Sequence, residues 1–203
     1  MKYVKMLGLA AITAAALTAF VGAGTASATV LCKNNLNTNV CSERYSVGTK
    51  IEGKLVGVGK MDTSFKTIEC NKGSASGTLE KEGSATSTPF GGGVGTLEEC
   101  NCEVKIIKNG TLEIHWIEKS DNGTLTSSGA EATVSCNTIF GNVHCIYASN
   151  NTHAGVLVGG NPATEEFAVN APRLTTSGLC AEQGTLTGKY EVTSPKPLYI
   201  AAS

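Results

Sequence analysis

The sequence predicts an all-β fold, a disulfide-stapled antiparallel β-sandwich or, as the alternative, a β-barrel. Three observations lead there. Past residue 28 no window sustains apolar residues at the helical spacing of i, i+3, i+4 and i+7. Short alternating apolar and polar runs appear instead, broken by Gly, Asn and Ser. All eight cysteines also lie past residue 28, which suits a β domain held by bridges in an oxidising compartment.

Residues 1–28 read as a secretory leader: Lys2 and Lys5 precede an uncharged apolar run from Met6 to about Val21, and Ala26-Ser27-Ala28 supplies the small-residue cleavage pattern. The expectation is a single mature β domain over residues 29–203, secreted by a bacterium and extracellular. No later apolar stretch approaches the ~20 residues needed to span a bilayer. The 17 acidic residues outnumber the basic ones, and Arg44 and Arg173 are the only arginines, so nucleic acid is not an expected partner. Leu31 stands where a lipoprotein signal wants a small residue, so Cys32 reads as a disulfide partner. The N-x-[ST] triplets at Asn109, Asn122 and Asn150 read as turns.

The alternating runs place strands, in order, at residues 49–58, 64–70, 77–81, 94–99, 103–108, 111–119, 130–136, 143–149, 154–158, 165–169 and 185–193. Ile106-Ile107-Lys108-Asn109-Gly110-Thr111-Leu112 predicts a hairpin, because Asn-Gly favours the type I′ turn that matches strand twist. Asp121-Asn122-Gly123 predicts the next turn. Gly-Thr-Leu occurs at Gly77, Gly95, Gly110, Gly123 and Gly184, at intervals too uneven for a repeat protein. Each reads as a Gly leaving a turn and a Thr-Leu opening a strand. Residues 74–95, the most polar and Gly-rich stretch, predict a mobile loop around Pro89-Phe90-Gly91-Gly92-Gly93.

The cysteines Cys32, Cys41, Cys70, Cys100, Cys102, Cys136, Cys145 and Cys180 are expected to pair as four disulfides. Local spacing favours Cys32 with Cys41, and Cys136 with Cys145 across a hairpin. Cys100 and Cys102 face one side of a strand about 7 Å apart and should reach different partners, which leaves Cys70 and Cys180. A metal site built from Cys100, Cys102 and one of His115, His144 or His153 is the weaker reading, since C-x-C lacks a second knuckle.

Patterns for catalysis fail one by one. Gly59-Lys60-Met61 lacks the Ser or Thr of a phosphate loop. Gly91-Gly92-Gly93-Val94-Gly95-Thr96 puts Thr where a dinucleotide loop needs its third Gly. Gly73-Ser74-Ala75-Ser76-Gly77 centres Ala75 where a nucleophile elbow needs Ser. Glu113-Ile114-His115-Trp116-Ile117-Glu118 resembles the E-x-D-x-x-E strand of jelly-roll glycosidases, with Glu113 and Glu118 in the place of the two carboxylates, but His115 replaces the central Asp and the two glutamates differ by an odd offset. The plainer reading packs Leu112, Ile114 and Trp116 inward with Glu113 and His115 outward. Glu98-Glu99 and Glu165-Glu166 read as solvated surface. No catalytic residue, cofactor or metal is assigned.

The landmarks Leu31-Cys32-Lys33, Cys41, Tyr45-Ser46-Val47-Gly48-Thr49-Lys50-Ile51, Cys100-Asn101-Cys102 and the closing Tyr190-Glu191-Val192-Thr193-Ser194-Pro195-Lys196-Pro197-Leu198-Tyr199-Ile200 resemble the small secreted, cysteine-containing β proteins that occur as large uncharacterised sets in soil actinobacteria. The resemblance implies an extracellular, all-β protein and supplies no site. The functional expectation is a non-catalytic module binding a cell wall or extracellular glycan, with residues 84–93 as its contact surface. The alternatives are a glycoside hydrolase using Glu113 and Glu118, and a secreted protease inhibitor presenting residues 137–144 as bait.

Overall fold

A computed structural model of the chain describes residues 29–34, 41–83, 90–139, 141–175 and 178–202, and the leader expected at residues 1–28 lies outside them. The described residues are all-β. In chain order the strands are β1 (Thr29–Cys32), β2 (Lys50–Leu55), β3 (Gly59–Asp62), β4 (Thr67–Lys81), β5 (Phe90–Cys100), β6 (Glu103–Lys108) and β7 (Gly110–Trp116). The second half of the chain adds β8 (Gly123–Ser128), β9 (Glu131–Thr138), β10 (Gly141–Ala148), β11 (Thr152–Val158), β12 (Thr164–Pro172), β13 (Gln183–Ser194) and β14 (Tyr199–Ala202).

Of the two architectures the sequence allows, the wall is a barrel. Eight antiparallel strands run in the order β12-β11-β8-β7-β5-β4-β2-β13, and β13 pairs back onto β12 to close the ring. β3 continues β2 after an excursion at residues 56–58 and fills the same slot between β13 and β4. Period-two alternation decides which side chains face inward: in β4, Ile68, Cys70, Ala75, Gly77 and Leu79 turn in while the intervening residues are exposed.

The expected hairpin at Asn109-Gly110 is absent, because β6 pairs with β9 whereas β7 pairs with β5 and β8. Neither residue takes the positive φ of a type I′ turn. The segment is instead a corner in one long strand. Lys108 opposite Glu131 and Thr111 opposite Ser128 lie on the same antiparallel register, so β6-β7 and β8-β9 form one continuous ladder that bends. The same holds for β10-β11, since Ala148 faces Glu131 and Thr152 faces Ser127. The sheet β10-β9-β6 is therefore an extension of three wall strands, folded over as a flap. Gly110 permits the corner by close approach: a Cβ there would lie 2.7 Å from the Ala130 Cβ and 2.8 Å from its nitrogen.

The flap covers one mouth. Val134, Val143 and Tyr147 pack with Met61, Ile68 and Leu186 of the far wall. Its outer edge is fastened there as well, because Leu174 N donates to Ile146 O at 2.8 Å and Cys145 bonds Cys180. The β1–β14 ribbon covers the other mouth, with Leu31, Leu198 and Ile200 fully buried against Ile114, Leu125 and Leu157.

All eight cysteines are bonded, as Cys32–Cys41, Cys70–Cys100, Cys102–Cys136 and Cys145–Cys180. The expected Cys136–Cys145 bridge is not formed. Both residues sit in the β9–β10 hairpin, but Val143 faces Cys136 and Val134 faces Cys145, so the two do not oppose each other and each sulfur bonds a partner outside the hairpin. The expected loop at residues 74–95 is also revised, since Ser74–Lys81 lies within β4 and Phe90–Gly93 within β5; residues 84–89 lie outside the described set. The runs at 64–70 and 77–81 are parts of one strand, β4. Strands β1, β3, β8 and β14 escape the sequence reading because they are short or, like Gly123–Ser128, built from small residues.

Candidate functional site

The five Gly-Thr-Leu triplets share a role that their uneven spacing conceals. In each, the Leu points into the barrel: Leu79, Leu97, Leu112, Leu125 and Leu186 all line its interior. Three of the glycines, Gly110, Gly123 and Gly184, do stand at or beside a strand start, as expected; Gly77 and Gly95 are internal to β4 and β5.

Between Leu79 and Leu97 the β4–β5 side of the wall presents almost no side chain inward. Ala75 pairs with Gly95 and Gly77 with Gly93, and Gly91 lies opposite Leu79. An eight-stranded barrel is of the size at which inward side chains either fill the interior or leave room for one small ligand. Here they leave a cavity of about 320 Å³, whose remaining lining is mostly Leu, Ile, Val and Ala.

Polar groups in this lumen are few. Ser127 Oγ donates to Ser149 Oγ at 3.0 Å, and the latter accepts from Ala130 N at 3.1 Å, so both hydroxyls are engaged. Glu165 on β12 and Tyr190 on β13 are direct cross-strand partners and both line the cavity. Phe167, two residues along the same face, packs its ring 5.3 Å from that of Tyr190. A Cβ on Gly73 would lie 2.9 Å from the Tyr190 hydroxyl, so the phenol reaches across to β4.

Glu165 keeps some accessible surface, and that surface borders the cavity. Protein surrounds the carboxyl otherwise, and burial raises its pKa from 4.5 to about 7. Tyr190 is pushed up to about 12, by burial first and by the nearby Glu165 charge second. Among the described residues no hydrogen bond or ion pair holds the Glu165 carboxyl, and no Lys, Arg or His lines the lumen.

The expectation that Glu165-Glu166 is solvated surface is therefore half right. Glu166 is exposed and accepts from Lys189 Nζ at 3.0 Å on the outer face, while Glu165, one residue earlier, must face inward. A signal for this was present, since Glu165 shares its parity with Phe167 and Val169.

The other candidates lie elsewhere. Ile114 is buried with Leu112 and Trp116 packed around it, and Glu113 and His115 stand half-exposed on the outer face, as the plain reading of β7 expects. Glu118 is in the turn after β7, off the strand that carries Glu113. His144 Nδ1 lies 2.8 Å from Ser135 Oγ on the outer face of the flap. Cys100 and Cys102 are in disulfides, a state in which neither sulfur is a thiolate ligand. Of the expected contact surface at 84–93, residues 90–93 belong to β5 and the rest lies outside the described residues.

A seam leads to the lumen. Beyond Gly93, β5 loses β7 as a neighbour because the chain bends away at Asn109 into β6, which pairs only with β9. Leu97 of β5 and Val104 and Ile106 of β6 flank this unpaired stretch and line the cavity. In comparisons with known proteins, no family model, no curated protein and no solved structure matches the chain.

Proposed function

We propose that the chain is a secreted, non-catalytic binding protein that holds one small, predominantly apolar molecule in its barrel lumen. The observation that carries this reading is the cavity of about 320 Å³ inside a closed barrel, walled by Gly, Ala, Leu, Ile and Val. Ligand sites are concave, mostly apolar and furnished with few polar groups, and this volume falls at the small end of their range. Four disulfides favour an extracellular setting. A sugar would need many hydrogen-bond partners, and this mostly apolar lining offers few, so an apolar occupant replaces the glycan in the reading.

The test is equilibrium binding of naphthalene to the oxidised protein, followed by its fluorescence, with Gly95→Leu as the lumen-filling control. Saturable one-to-one binding that is lost in the variant, with the far-UV spectrum unchanged, is the expected result. Absence of saturable binding to the parent protein overturns the reading.

A further inference from the structure

We infer that the lumen selects apolar amines, with the Glu165 carboxylate as counter-ion to the ligand's ammonium group. This rests on the lumen-binding reading and names the ligand chemistry it takes.

Three observations converge on Glu165. Its carboxyl borders the cavity without any internal partner among the described residues. A carboxylate so placed is costly to ionise unless a cation or hydrogen-bond donors meet it. The neighbouring charges are engaged or exposed: Glu166 and Lys189 pair on the outside of β12 and β13, Lys54 and Lys196 reach Glu191, and of the other glutamates along the cavity Glu52 is exposed and Glu131 pairs with Lys108. The cation that would neutralise Glu165 is thus not supplied by the wall.

The lining adds the second argument. It contains no Lys, Arg or His among the described residues, so an anionic ligand meets no positive partner and is repelled by Glu165. A ligand ammonium meets the carboxylate and, beside it, the packed rings of Phe167 and Tyr190, whose faces attract cations. The size of the lumen sets the length of the ligand. Since roughly 150 Å³ holds benzene, a lumen about twice as large takes on the order of a dozen non-hydrogen atoms. One ammonium and a chain of about ten carbons satisfy both the carboxylate and the apolar wall.

The experiment compares 1-aminodecane, 1-decanol and decanoate by isothermal titration at pH 8, on the oxidised parent protein, Glu165→Gln and Glu166→Gln. The expected result is that the amine binds the parent at least about tenfold more tightly than the alcohol, as a desolvated charge pair should, and that decanoate binds weakest. Glu165→Gln should bring amine and alcohol to within about threefold of each other, while still binding the alcohol, and Glu166→Gln should change neither. If the alcohol binds the parent but the amine binds no better, or if its advantage survives in Glu165→Gln, the amine assignment is wrong and lumen binding stands. Failure of both amine and alcohol to bind the parent removes lumen binding itself.

Discussion

Glu165 and Tyr190 face each other across the β12–β13 ladder as a directly opposed pair, both turned into the barrel, so two ionisable groups share one apolar interior.

The first consequence is a pH dependence of stability. The Glu165 pKa of about 7 in the folded chain exceeds its ordinary value of 4.5. Between those values the unfolded chain has released the proton and the folded chain still holds it. Stability is therefore lost as pH rises from 4.5 to 7, by about 3 kcal/mol, and the loss levels off above that. Urea unfolding of the parent and Glu165→Gln over this range should show the difference between them shifting in favour of the variant as pH rises. A difference independent of pH means that the carboxyl is solvated.

Two glycines of β5 should respond oppositely to an added side chain. At Gly95 a Cβ meets only the Ser74 carbonyl oxygen, at an ordinary 3.7 Å, and points to the cavity, whereas at Gly91 it would lie 2.6 Å from the Thr78 carbonyl oxygen. Gly95→Leu should raise stability by roughly 1–3 kcal/mol through apolar burial. Gly91→Ala should lower it by a similar amount, because backbone has to move. Denaturant midpoints of the two variants check the pair.

The corner between wall and flap makes a third test. Gly110→Ala should cost roughly 1–3 kcal/mol, since its methyl group collides with Ala130. Asn109→Ala should change stability by less than about 0.5 kcal/mol, because Asn109 is not holding a turn. A large loss from Asn109→Ala would restore the tight-turn reading.

Replacing Cys145 and Cys180 together by Ser should cost about 2–4 kcal/mol and loosen the flap more than the wall. Hydrogen exchange should then accelerate in β10, whose outer edge the Cys145–Cys180 bridge fastens, before it accelerates in β4. Uniform acceleration would mean that flap and wall open together even without the bridge.

Most strands were legible because alternation is a local property, and β6 is read at its exact bounds, Glu103–Lys108. What is not local was hidden. Asn109-Gly110 carries turn chemistry, yet the partners that decide its geometry, β9 and β5, are remote in the chain. Cys136 and Cys145 are close in sequence, but a two-residue offset in register sends them to Cys102 and Cys180. The site was legible in parity alone. Glu165 alternates in step with Phe167 and Val169, and its charge argued for solvent against a pattern that argued for the interior.

The two longest-range pairings of the chain are coupled. β2 meets β13 through Leu55 opposite Tyr190, and β1 meets β14 through Cys32 opposite Tyr199. Bringing ends together costs entropy that grows with the logarithm of the intervening length. Once β2 and β13 have zipped, only the short segments from Cys32 to Lys50 and from Ser194 to Tyr199 separate the ribbon strands. The second closure then adds little to the entropy already lost. Closing the ring therefore pre-places the end-cap, so covering that mouth of the apolar interior asks little further ordering of the chain.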